Sequence, residues 1–201
     1  MSTYLSHFFS IGIPAMLVFA CFYPYRRRAL SAQGLCSSPW REAALHLFVL
    51  CIFGLAAIVL WPAYHFENSN GLWGNLVIHN NRESWTDNIN LVPLRMVSYY
   101  FHAFRRGHLY FSVVMFFGNI GVFLPMGFFP GLLFRNFGAK KTFFLGLLFS
   151  LGLECCQFFL GRHCDVDDVI LNVLGVMTGY WLLLLMKHLF PRFCRNFRCE
   201  S

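Results

Sequence analysis

Ser150-Leu-Gly-Leu-Glu154-Cys-Cys-Gln157 is followed by Gly161-Arg162-His-Cys-Asp165-Val-Asp167-Asp168, and then by Asn172-Val-Leu-Gly175-Val-Met-Thr-Gly179. This polar stretch lies between two long apolar runs. Carboxylates are costly inside a bilayer and are usually retained there for function. Read as helix, Ser150, Glu154 and Gln157 fall at i, i+4 and i+7 and share one face. Asp165, Asp168, Asn172, Gly175 and Gly179 share a face on the next element, in steps of three, four, three and four. Two helices joined by a short turn would bring the two polar faces together. Gly175 and Gly179 permit close backbone approach, as in small-xxx-small packing. The pattern predicts a buried polar site rather than a lipid-facing surface.

Composition sets the surroundings of that site. The 201 residues are 57% hydrophobic, 19% aromatic and only 12% charged. Soluble domains carry about twice that charge. The mean hydropathy of +0.54 agrees. The expected fold class is all-α: a polytopic membrane helix bundle of about five transmembrane helices with an interfacial amphipathic segment. The net charge of +7 is not spread as a nucleic-acid footprint. Lys and Arg flank apolar runs, which is the positive-inside signature, and no nucleic-acid motif is present.

The expected spans run over about 4–23, 43–63, 108–134, 142–160 and 169–190. The first lacks a basic leader and a small-residue cleavage site and is followed by Arg26-Arg27-Arg28, which argues against a cleaved signal peptide. Kinks are expected at Pro14 and Pro125. Leu94 to Phe104 mixes aromatic residues with Arg95 and His102, and reads as an amphipathic segment at the membrane interface. Five spans put the amino terminus outside and the carboxyl terminus in the cytoplasm. Arg26 to Arg28, Arg41, Arg135, Lys140, Lys141, Lys187, Arg192, Arg195 and Arg198 then lie inside. Arg82, Arg95, Arg105, Arg106 and Arg162 lie outside, beside most of the acidic residues.

Two further pieces accompany the opening stretch: Asn90-Leu-Val-Pro93-Leu94, and Gly118-Asn119-Ile-Gly-Val-Phe-Leu-Pro125-Met-Gly127. With it they resemble, in order, the motifs of the VanZ-like family of bacterial membrane proteins. The resemblance runs from about Trp85 to Met186; the first 84 residues carry none. The implied organisation is two transmembrane helices and the start of an external loop over 1–84, a VanZ-like membrane domain over 85–186, and a basic cytoplasmic tail over 187–201. The family is associated with low-level resistance to glycopeptide antibiotics, teicoplanin in particular, without altered peptidoglycan precursors. The resemblance implies a multi-pass bacterial cell-membrane protein acting at the outer face, with the lipid bilayer as partner. A lipoglycopeptide drug or a lipid-linked envelope precursor would be its ligand.

The candidate binding cluster is Asn119, Ser150, Glu154, Gln157, Arg162, Asp165, Asp168 and Asn172. Arg162 is the expected ion-pair partner of Glu154, Asp165 and Asp168. Glu154 and Asp168 are the candidate acid and base if the protein is instead a membrane-embedded enzyme modifying a lipid-linked envelope component. Simpler roles stand beside these. Asp165 and Asp167 suit helix capping. Asn119 and Asn172 suit interhelical hydrogen bonding. Ser150 has no His at useful spacing and reads as packing rather than nucleophile. His163 beside three Asp matches no standard metal spacing, so no metal or cofactor is expected. A transporter fits less well, since no inverted repeat is visible. The eight Cys read as reduced and structural, with Cys164 alone outside.

Overall fold

The computed structural model describes residues 2–60, 64–67, 75–78, 89–90, 92–107, 109–159 and 164–197. In chain order these form α1 (Ser2–Cys21), α2 (Tyr23–Ser31), α3 (Pro39–Leu60), β1 (Tyr64–Glu67), β2 (Asn75–Ile78), β3 (Ile89–Asn90), α4 (Arg95–Arg105), α5 (Leu109–Leu133), α6 (Ala139–Phe159), β4 (Cys164–Asp165), α7 (Val166–Leu189) and α8 (Pro191–Arg195). Segments of α3, α5, α6 and α7 are each long and apolar enough to cross a membrane. A fifth span results if the bent pair α1–α2 is counted as one. The expected all-α polytopic bundle is what the chain forms.

Among the described residues the strands form two short pairs. β1 lies antiparallel to β2, and β3 lies parallel to β4. The second pair matters more. It brings Asn90 alongside Asp165, 75 residues apart in sequence, at the end of the bundle where α7 begins.

Neither span is interrupted at its prolines. α1 runs through Pro14, and α5 runs through both Pro125 and Pro130. The chain also bends by 44° after Cys21. Pro24, in the first turn of α2, explains this. Its ring opposes a continuing helix by crowding the carbonyl four residues back, whereas it is tolerated in a first turn.

The centre of the bundle is the α5–α7 crossing, the most extensive helix pair. A Cβ on Gly175 would strike the backbone of Ile120, one on Gly179 that of Leu124, and one on Gly127 that of Val176. The two α7 glycines therefore close on α5. The sequence had placed them in the face that meets α6. α6 approaches α7 through Gly146, which accommodates the Val176 side chain. Leu55, Phe123, Met126, Leu153 and Val176 fill the middle. Leu45, Leu132, Leu183, Cys194 and Phe197 fill the end where α7 finishes. Outward positions such as Leu17, Phe117, Leu148, Trp181 and Leu185 are exposed. This is the expected pattern where lipid, not water, is the outer solvent.

Gly127→Val is predicted to cost at least about 1–3 kcal/mol through backbone overlap. Gly152→Ala, on an exposed helix position with open space around it, is predicted to cost nothing. Unfolding midpoints of the two purified variants in detergent test the pair.

Candidate functional site

The polar residues converge where α6 ends and α7 starts. Ser150, Glu154 and Gln157 lie on the buried face of α6, at 0%, 3% and 6% exposure. This is the shared face expected from their spacing. Ser150 Oγ accepts a hydrogen bond from Asn172 Nδ2 at 3.0 Å, tying α6 to α7. The geometry fits the packing role for Ser150. Asn119 on α5 donates through Nδ2 to Asp168 Oδ1 at 3.2 Å, tying α5 to α7.

Glu154 Oε2 accepts from the backbone N–H of Asp165 at 3.2 Å. The Cys164 thiol also bonds to Glu154, and Asp168 and Asp165 lie within electrostatic reach. Glu154 thus holds the turn before α7 while facing two other acids. Cys164 lies outside the spans. Burial raises its thiol pKa above the usual value, and the neighbouring Glu154 carboxylate raises it further.

The α7 start is itself built from carboxylates. Asp165 is the helix cap: Oδ1 accepts from the Asp167 N–H at 2.9 Å. This satisfies one of the free donors of a helix start. Its other oxygen, Oδ2, accepts from Asn90 Nδ2 at 3.0 Å. Asp167 is fully buried in the first turn of α7. Its Oδ1 accepts from the backbone N–H of Leu94. Leu94 has a positive φ of 66°, uncommon for a residue with a branched side chain. Asn90 Oδ1 accepts from Val92 N–H at 3.3 Å and so shapes the same turn. The Asn90–Leu94 element is thus clamped to α7 by two buried aspartates, and α4 continues from it.

Seven of the eight candidate residues meet at this end: Asn119, Ser150, Glu154, Gln157, Asp165, Asp168 and Asn172. Arg162 lies outside the described residues, as does His163. No cluster of three or more His, Cys, Asp or Glu suited to a metal is present among the described residues. Sequence reading left three participants out of the cluster: Asn90, Asp167 and Cys164. Asn90 had a signal, since it opens a motif of its own. Its partner lies 75 residues away, and helical periodicity does not reach that far.

The class of protein is now defined. It is a polytopic helical membrane protein whose transmembrane helices enclose a carboxylate–amide cluster at one end of the bundle. A family model for VanZ/LLP1 matches residues 48–187, and the chain belongs to that family. The match starts inside α3, well before Trp85, where the quoted motifs begin. No curated protein and no solved structure matches the chain.

Asp167→Ala leaves the Leu94 N–H without its acceptor. A loss of about 1–3 kcal/mol is expected, with a smaller loss for Asp167→Asn, which keeps a carbonyl acceptor. Thermal unfolding in detergent tests the order. The thiolate is the form that reacts, so a thiol with a raised pKa is largely protonated at neutral pH. Glu154→Gln removes the charge that opposes the thiolate, and maleimide labelling of Cys164 at pH 7, read by peptide mass spectrometry, is predicted to accelerate.

Proposed function

We propose that the protein acts at the outer face of the cell membrane and confers low-level resistance to lipid-tailed glycopeptides of the teicoplanin type. Family membership supports the class of effect. The location rests on charge. The acid cluster occupies one end of the bundle. The opposite end carries Arg26 to Arg28, Arg41, Arg135, Lys140, Lys141 and Lys187 along the helix termini. By the positive-inside rule the basic end faces the cytoplasm and the cluster faces out.

The observation that carries the reading is the clamp between Asn90–Leu94 and α7. It fixes α4 beside the cluster. α4 exposes Tyr99, Phe101 and Phe104 together with Arg95 and Arg105, and Arg105 sits 4.8 Å over the Phe101 ring. An aromatic, basic helix of this kind suits the headgroup region of a leaflet. A ligand with a lipid tail and a polar head would meet α4 and the carboxylates at one depth.

A second reading rests on Glu154 and Asp168. Two carboxylates in one largely buried cluster suit acid and base roles on a lipid-linked envelope component. One experiment distinguishes the readings. Wild type, Glu154→Gln and Asp168→Asn are expressed in a susceptible host. Teicoplanin and vancomycin susceptibility is measured beside envelope-lipid and muropeptide profiles. The proposal predicts a few-fold rise in the inhibitory concentration of teicoplanin for wild type, with unchanged envelope chemistry, and loss of the rise in both variants. An altered envelope molecule that disappears in both variants would favour the enzyme. Full resistance in both variants would separate the cluster from the effect.

A further inference from the structure

The basic end of the bundle holds a second polar arrangement, unrelated to the acid cluster. After the bend at Phe22, α2 carries three consecutive arginines that do not share a role. Arg26 turns inward. It pairs with Glu42 at 2.8 Å, donates to the Phe19 carbonyl at 2.7 Å, and lies 3.8 Å over the Phe19 ring. Glu42 is then fully committed. Its second oxygen accepts from Ser37 Oγ at 2.7 Å, and Arg41 lies 3.9 Å away.

Arg27 and Arg28 are left exposed, and no acidic residue among the described residues pairs with either. Both line a hollow of about 430 Å³ with Tyr23, Pro24 and Ser31. The residues around the hollow include two arginines, a tyrosine and a serine, and no acidic residue. Planar guanidinium groups recognise phosphate oxygens in pairs of hydrogen bonds. The 44° bend turns α2 away from the axis of α1, and Phe22 and Tyr25 beside it are exposed. Aromatic residues next to a basic cluster at a span's end mark the headgroup layer.

We propose that the hollow formed by Tyr23, Pro24, Arg27, Arg28 and Ser31 binds a phosphate group, that of an anionic phospholipid headgroup at the basic end of the bundle. Arg27 and Arg28 grip the phosphate oxygens, and the hydroxyls of Tyr23 and Ser31 complete the contacts. The inner salt bridge of Arg26 with Glu42 holds α2 against α3 so that the hollow keeps its shape. The site depends neither on the ligand of the acid cluster nor on which way the protein faces.

The test uses the purified full chain in mild detergent, analysed by native mass spectrometry with added phosphatidylglycerol, phosphatidylcholine or inorganic phosphate. Each basic residue near a headgroup contributes about 1 kcal/mol. With two arginines, wild type is expected to retain phosphatidylglycerol over phosphatidylcholine by roughly thirtyfold. R27Q/R28Q brings the two to parity, while R192Q/R195Q, in another basic segment at this end, keeps the preference. Displacement of the lipid by millimolar phosphate identifies the phosphate group itself as the ligand; resistance to displacement identifies the whole lipid. Absence of any preference in wild type overturns the proposal, whatever the variants do. So does a preference that survives R27Q/R28Q or is lost equally in R192Q/R195Q.

Discussion

Two buried aspartates at the start of α7 hold this end of the bundle together. Asp165 caps its own helix with one oxygen and holds Asn90 with the other. Asp167 holds the amide of Leu94. Individual hydrogen bonds between membrane helices are worth little, about 0.6 kcal/mol on average. Leaving a buried polar group without a partner costs several times more. The value of the arrangement therefore lies in closure. Each carboxylate satisfies a donor of the Asn90–Leu94 turn, and together they fix where that turn sits.

Glycine and polar contacts divide the work along α7. Deeper in the bundle, Gly175 and Gly179 bring its backbone against α5. One and two turns above Gly175 lie Asn172 and Asp168, which reach Ser150 on α6 and Asn119 on α5. Close glycine packing fixes the helix positions, and the amide–carboxylate bonds then form at a set depth.

Much of this was legible in the chain. The spans, the amphipathic helix α4 and the polar faces of α6 and α7 follow from apolar run length and helical periodicity, because both are local properties. Ser150, Glu154 and Gln157 were placed on one buried face by spacing alone. The less legible parts depend on tertiary partners. Spacing shows that Gly175 and Gly179 need a close neighbour, but not that the neighbour is α5. The bend ahead of Pro24 was not read from the chain, although a proline in a new first turn favours a restart. The partnership of Asp167 with Leu94 escaped reading entirely: its acceptor is a side chain, but its donor is a backbone amide, which leaves no mark in sequence.

The central claim is that α7 seats the Asn90–Leu94 turn through these carboxylates. Hydrogen–deuterium exchange of the peptide containing Leu94 tests it most directly, in wild type and in Asp165→Ala/Asp167→Ala. The account predicts a slowly exchanging Leu94 amide in wild type that becomes fast in the double variant, while the α7 amides beyond Asn172 stay protected. A Leu94 amide that exchanges at the rate of free peptide in wild type would contradict it.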